Sequence, residues 1–245
     1  MTDNVCELLG VGKSYGGHTV LNGIDLAVMK GEMVAITGKS GSGKSTLLNI
    51  IGLLESADHG DLRLFGEPSP RIRSAKATRM LRFRLGYLFQ NFALIDGESV
   101  DYNLRIAQAY TKGLGSGRHE ARSSALRAVG LSNSADGQKV YQLSGGEQQR
   151  VAIARLMLKP CDLVLADEPT GSLDVTTADV VLAMLRELNA GGKTMIIVTH
   201  DDRVAAECDR VVALPDPRSA IEPSEPMAAS TGLKRMSRRR PRGSV

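Results

Sequence analysis

Two hydrophobic patterns divide the chain. Residues 5–30 alternate apolar and polar positions around turn glycines, as at Ser14-Tyr15-Gly16-Gly17. That period of two predicts antiparallel strands with one buried face. Three later stretches are continuously apolar: Met33-Val34-Ala35-Ile36-Thr37, Leu163-Val164-Leu165-Ala166 and Met195-Ile196-Ile197-Val198. Each runs into glycines or a polar cluster. Short runs of this kind suit central strands of a parallel sheet covered on both faces. Thr46–Ile51 and Val175–Leu188 read as helices. The strand–helix–strand order predicts an α/β fold with its ligand site at the C-terminal ends of the strands.

Residues 92–142 mix helical stretches (Leu104-Arg105-Ile106-Ala107 and Ala125-Leu126-Arg127-Ala128-Val129) with a Gly/Ser/Lys loop at 112–117, which predicts a helical insertion. Arg71, Arg73, Arg79, Arg82 and Arg84 mark residues 71–84 as a solvated helical surface. From Pro215 onward Pro, Ser, Ala and Arg dominate and no core pattern remains. No internal repeat is evident.

Composition changes this picture in two places. With 245 residues, 42% of them hydrophobic, the chain can bury a substantial core. It has no apolar run of about 18 residues, so no membrane span is expected. Residues 1–10 lack a basic-then-apolar leader, so secretion is not expected. Cys6, Cys161 and Cys208 lie far apart without CxxC spacing, as in reduced cytosolic proteins. The net charge of +4 comes from a tail: Lys234, Arg235, Arg238, Arg239, Arg240 and Arg242 are six of the 31 basic residues. Without them 25 basic residues (31 − 6) face 27 acidic ones. The body of the chain is slightly acidic, and whole-protein binding to nucleic acid is not implied.

The chemistry-bearing motifs fall at the predicted strand ends. Gly38-Lys39-Ser40-Gly41-Ser42-Gly43-Lys44-Ser45 fits GxxxxGK[ST], the P-loop or Walker A pattern, with a strand before it and a helix after it. Its glycines let successive N–H groups converge on phosphate oxygens, and the helix N-terminus adds a favourable dipole. In such a loop Lys44 reaches the β- and γ-phosphates and the Ser45 hydroxyl ligates Mg²⁺. A bare Gly-rich turn with a solvated lysine is the plainer alternative. Asp167 and Glu168 follow the strand at 163–166; Asp167 can hold Mg²⁺ through water, and Glu168 is the candidate general base. Two acids after a strand are otherwise often a helix cap, but here Pro169 and a loop follow. Ser144-Gly145-Gly146-Glu147 has the S-x-x-E spacing of a capping box ahead of a helix. A capped helix is therefore the local reading, and Ser144, Gly145 and Gly146 also form an anion site at a positive helix end.

In sequence order the motifs are the P-loop, Gln90, Leu143-Ser144-Gly145-Gly146-Glu147-Gln148-Gln149-Arg150, Leu163–Glu168, Ser172-Leu173-Asp174 and His200. This set resembles the nucleotide-binding subunit of ABC transporters over residues 5–212. The resemblance implies an α/β P-loop NTPase fold with a mostly parallel core sheet, an N-terminal antiparallel β-subdomain and a helical insertion subdomain. The ATP-binding domain is expected at 5–214, the insertion at about 92–158, and a basic tail at 215–245. ATP and Mg²⁺ are the implied ligands. Residues Gly38 to Thr46 would hold the phosphates, Tyr15 would stack on adenine, and Ser45, Gln90 and Asp167 would serve the metal. Glu168, His200, Gln90 and Lys44 would be catalytic. Ser144, Gly145, Gly146 and Glu147 would complete the site of a second copy, with Asp174 linking the two sites. A homodimer, head to tail around two ATP, is thus implied. Its partner would be an integral-membrane permease with an extracytoplasmic domain, at the cytoplasmic face of the membrane.

Ala166-Asp167-Glu168-Pro169-Thr170-Gly171-Ser172-Leu173-Asp174 resembles the branch of macrolide exporters and lipoprotein-release ATPases. Tyr87 to Ile95, followed by Glu98-Ser99-Val100, resembles lactococcin-type bacteriocin export ATPases. Pro215-Asp216-Pro217 departs from the family, which there has a turn and a returning strand; a truncated sheet edge is the expectation. Two other classes stay open: a soluble ABC ATPase acting on nucleic acid or the ribosome, and a module that holds ATP without turnover. Intact Lys44, Asp167, Glu168 and His200 argue against the second.

Overall fold

The computed structural model describes residues 3–111, 115–132 and 135–215. Most of the basic tail and of the expected truncated edge, and the first half of the 112–117 loop, lie outside them.

Strands β1 (Asn4–Tyr15) and β2 (His18–Met29) form the expected antiparallel pair. Their connection is two glycines, Gly16 and Gly17, at φ 55° and 82°. Positive φ at both central positions matches the right-handed twist of a hairpin and favours glycine. Two further strands, β4 (His59–Leu64) and β5 (Glu67–Pro68), extend this sheet in the order β2-β1-β4-β5. The second sheet has the order β6-β7-β8-β3-β9, built from β3 (Met33–Thr37), β6 (Leu85–Leu88), β7 (Leu163–Asp167), β8 (Thr194–Val198) and β9 (Arg210–Ala213). All four of its pairings are parallel.

The apolar runs are continuous because both faces of this sheet are covered. Val34, Ile36, Leu163, Leu165, Ile196 and Val198 point into one core, shared with the N-terminal sheet and helix α1 (Lys44–Ile51). The alternate residues Met33, Val164, Ala166, Met195 and Ile197 point into another. That core is shared with α3 (Val100–Gln108), α4 (Arg118–Ala128), α5 (Gly145–Leu158) and α6 (Val175–Ala190). Helices α3 to α5 lie between β6 and β7 in sequence.

The Arg-rich surface is a shorter helix than expected. Helix α2 spans Ala75–Phe83, capped by Ser74, and residues 85–88 turn inward as edge strand β6. Helix α7 (Asp202–Ala206) precedes β9. The three cysteines are free thiols, Cys6 and Cys161 buried. Among the described residues no helix is long and apolar enough to cross a membrane.

Candidate functional site

Parallel pairing brings the ends of four strands to one edge. Gly38 follows β3, Gln90 follows β6, Glu168 follows β7 and His200 follows β8. Val20, Gly41, Lys44, Ser45, Thr46, Gln90, Glu168 and His200 line a cleft of about 390 Å³ there.

The loop from Gly38 to Gly43 takes its shape from glycine. Gly38, Gly41 and Gly43 sit at φ 151°, 79° and 88°. A Cβ on Gly43 would lie 2.8 Å from the Val20 carbonyl oxygen, so the loop also needs the missing side chain for space. Gly43 begins α1 without a side-chain cap, and the first turn carries no acid. Its orphan N–H groups and positive dipole end therefore face the cleft uncompensated by protein. Lys44 folds over the loop, donating to the carbonyls of Gly38 at 2.8 Å and Lys39 at 2.9 Å. Ser42 is buried, its hydroxyl unpartnered among the described residues.

Ser45 donates to Asp167 Oδ1 at 3.2 Å. Burial pushes the Asp167 carboxyl above its usual range, with the Ser45 hydroxyl pulling it back. A hydroxyl beside a half-buried carboxylate is a hard-oxygen pair that suits Mg²⁺, which takes one or two protein oxygens and completes its shell with phosphate and water.

Glu168 has φ 46°, in the left-handed region that non-glycine residues rarely adopt. Its N–H donates to the Val198 carbonyl at 2.9 Å, which ties the turn to β8. The carboxylate, largely buried, accepts from His200 Nδ1 at 2.8 Å. That bond, with the charge behind it, raises the His200 pKa. A strained backbone aimed into a polar cleft is a frequent mark of a functional carboxylate.

Tyr15 is half exposed beside this cleft. Its hydroxyl donates to Glu55 and lies close to Thr46, and Lys13 Nζ sits 5.4 Å from the ring centroid. Glu55, Lys13 and Val20 carry no motif and were not legible as site residues.

The 144–147 segment lies outside this cleft. Ser144 caps α5; its hydroxyl accepts from the Glu147 N–H at 3.3 Å, and Glu147 Oε2 accepts from the Ser144 N–H at 2.8 Å. Donation to Oε2 from the Ser144 N–H and from the Ser144 hydroxyl, also at 2.8 Å, holds the Glu147 carboxyl below its usual range. Asp174 caps α6 through Thr177, whose N–H and hydroxyl donate to it at 3.0 and 2.7 Å. A Cβ on Gly146 would meet the Thr177 methyl at 2.8 Å, so α5 and α6 abut at their N-termini. Gln149, buried in α5, donates to the Pro169 carbonyl at 2.6 Å, just after Glu168. Gly145 has open space around it.

Comparison with known proteins places the chain. Residues 21–171 match the ABC transporter family. The macrolide export ATP-binding/permease protein MacB of Bordetella avium is 40% identical over 233 residues, which cover 93% of this chain and 35% of MacB. The pyoverdine export ATP-binding/permease protein PvdT of Pseudomonas fluorescens is 38% identical, covering 95% of this chain and 37% of PvdT. The chain thus spans about a third of the length of these curated relatives. A dimeric post-hydrolysis structure of the ATP-binding cassette MJ0796, bound to ADP and Pi, superposes with a TM-score of 0.79. It is 35% identical, and the match covers 86% of this chain and 94% of that one. The structure of cbiO1 from Clostridium perfringens, 27% identical, gives a TM-score of 0.76 over 87% of this chain and 86% of the other. The chain belongs to the ABC transporter family, as an ATPase cassette similar in sequence to that of macrolide exporters.

Proposed function

We propose that this chain binds and hydrolyses ATP as residues 5–214, with 92–158 as its helical insertion, and drives a separate membrane permease for export or mechanical work. The reading rests above all on the convergence of Lys44, Ser45, Gln90, Glu168 and His200 on one cleft below an uncapped helix N-terminus. Dipole, loop N–H groups and lysine charge favour a triphosphate there. Ser45, Asp167 and Gln90 would hold Mg²⁺, which when bound would neutralise charge on the phosphates.

Glu168 accepts the proton of the attacking water, or orients it. His200 steadies the Glu168 carboxylate through Nδ1 and turns its other edge toward the γ-phosphate position. Lys44 exchanges its loop carbonyls for phosphate oxygens. Tyr15, held by Glu55, stacks on the base. Ser144 and the N–H groups of Gly145 and Gly146 serve the nucleotide of a second copy, with Glu147 as the internal acceptor for Ser144 until then. Asp174 couples the two sites.

The permease carries an extracytoplasmic domain and places this chain on the cytoplasmic face of the membrane. Its cargo is a peptide, drug or lipoprotein. The narrower bacteriocin reading rests on the Tyr87–Val100 segment alone. Mg²⁺-dependent ATP hydrolysis by the purified chain, set against Lys44→Ala, tests the core of this reading. Turnover equal in both proteins refutes it.

A further inference from the structure

Arg155 lies near the C-terminal end of α5, the helix that begins at the Ser144 cap. Its guanidinium reaches the loop behind Gln90. Nη1 donates to the Ala93 carbonyl, and Nη2 donates to the Phe92 carbonyl at 2.9 Å. Phe92 and Ala93 are both left-handed, at φ 62° and 46°. The Phe92 N–H donates to Phe89 O at 2.9 Å and the Ala93 N–H to Asn91 O at 2.7 Å, making a tight double turn directly after Gln90. Such backbone persists only where its surroundings over-determine it. The far side of the turn is fixed too: the buried Asn103 of α3 accepts from the Ile95 N–H at 2.8 Å and donates to the Ile95 carbonyl at 3.2 Å.

Gln90 therefore lies on a short span between two anchors. One is β6, hydrogen-bonded into the parallel sheet as far as Leu88. The other is the turn at 92–95, bound to α5 and α3. A shift of the helices against the sheet has to displace Gln90.

Arg155 is an expensive way to fill this place. Among the described residues no carboxylate pairs with it; its acceptors are peptide carbonyls. A guanidinium presents two donors in a rigid fork, which matches two successive carbonyls as a lysine ammonium does not. Packing alone is served equally well by methionine.

We propose that Arg155 is a positioning residue that clamps the turn after Gln90 to the helix carrying Ser144, so that Gln90 and the 144–147 segment move as one body. The functional consequence rests on the roles assigned to Gln90 and Ser144 above; the clamp itself does not.

The test compares wild type, Arg155→Lys, Arg155→Met and Gln90→Ala in the full chain. Hydrogen exchange, ATP affinity and turnover are measured for each. For Arg155→Met the expectation is about tenfold faster exchange confined to residues 90–95, with β7 unchanged. ATP affinity should stay within about twofold while kcat falls about tenfold. Arg155→Lys, which keeps a single donor, should fall between, and it carries the same comparison if Arg155→Met does not fold. Unchanged exchange at 90–95 overturns the clamp. So does exchange that rises evenly across α3 to α5 with turnover lost only in proportion to unfolded protein, since that is a packing role. A silent Gln90→Ala beside selective exchange in Arg155→Met supports the clamp and overturns the assignment of Gln90.

Discussion

Two helices in this protein begin at glycine-rich segments, and they begin differently. Helix α1 starts at Gly43 with no side-chain cap and no acid in its first turn. Helix α5 starts at Ser144 with a reciprocal capping box, in which Glu147 Oε2 accepts from the Ser144 N–H and hydroxyl and the Ser144 hydroxyl accepts from the Glu147 N–H. The first end leaves its N–H groups to a ligand of its own chain. The second has its cap residue engaged internally, and on the proposed function Ser144 gives up Glu147 to meet an external anion. The contrast teaches which half of the site is preformed. On the proposed function, bare donors at α1 make nucleotide binding a property of the single chain. At α5 the cap residue is already engaged, and on the proposed function the 144–147 segment is a surface recruited later, by the nucleotide of a second copy.

The largest effects should separate the two ends. Lys44→Ala removes the charge at the bare end, and ATP affinity of the single chain should fall by about 2–3 kcal/mol, roughly a hundredfold. Ser144→Arg should leave that affinity unchanged while turnover falls about a hundredfold or more, as for a lost transition-state contact. Equilibrium binding and steady-state rates on both proteins check this. If Ser144→Arg weakens binding as Lys44→Ala does, the two ends serve one nucleotide and the contrast fails.

Stability sharpens the same contrast at intermediate size. Gly43→Ala forces φ 88° on a residue with a Cβ and drives that Cβ to 2.8 Å from the Val20 carbonyl oxygen. It should cost about 2–3 kcal/mol, read as a lower urea midpoint, because backbone rather than a flexible side chain must yield. Ser144→Ala removes only a cap and should cost about 1 kcal/mol. Equal losses would mean that the bare end is no more constrained than the capped one.

The smallest effect is one of pH. The Glu168 carboxylate raises the His200 pKa above its ordinary 6.5. The folded state therefore binds the proton more tightly than the unfolded chain. This stabilisation is complete below about pH 6.5 and fades as pH rises through the folded value. The urea midpoint of wild type should exceed that of His200→Ala at about pH 6, with the gap closing as pH rises. His200 is well exposed, so the gap should be small; a gap that widens with pH contradicts the assignment.

Much of this was legible in the sequence, for identifiable reasons. Continuous apolar runs marked β3, β7 and β8 because those strands are covered on both faces. Motif residues marked strand ends because parallel pairing gathers them at one edge. Strand β4 was not legible: His59-Gly60-Asp61-Leu62-Arg63-Leu64 is mostly exposed, and its pairing with β1 comes from neighbours distant in sequence. Strand β6 was hidden by its four-residue length and its glycine, where a Cβ would strike Leu156 and Cys161. Glu55 and Thr177 were invisible for another reason. Each supports a motif residue, Tyr15 or Asp174, through a contact that no local pattern announces.

The central claim is that one nucleotide site needs two chains. Its most direct test is the solution mass of Glu168→Gln with ATP and Mg²⁺, alone and combined with Ser144→Arg. Glu168→Gln, unable to complete hydrolysis, should accumulate at twice the monomer mass. The double variant should remain monomeric at unchanged ATP affinity. A monomeric Glu168→Gln, or a double variant that still dimerises, contradicts the account.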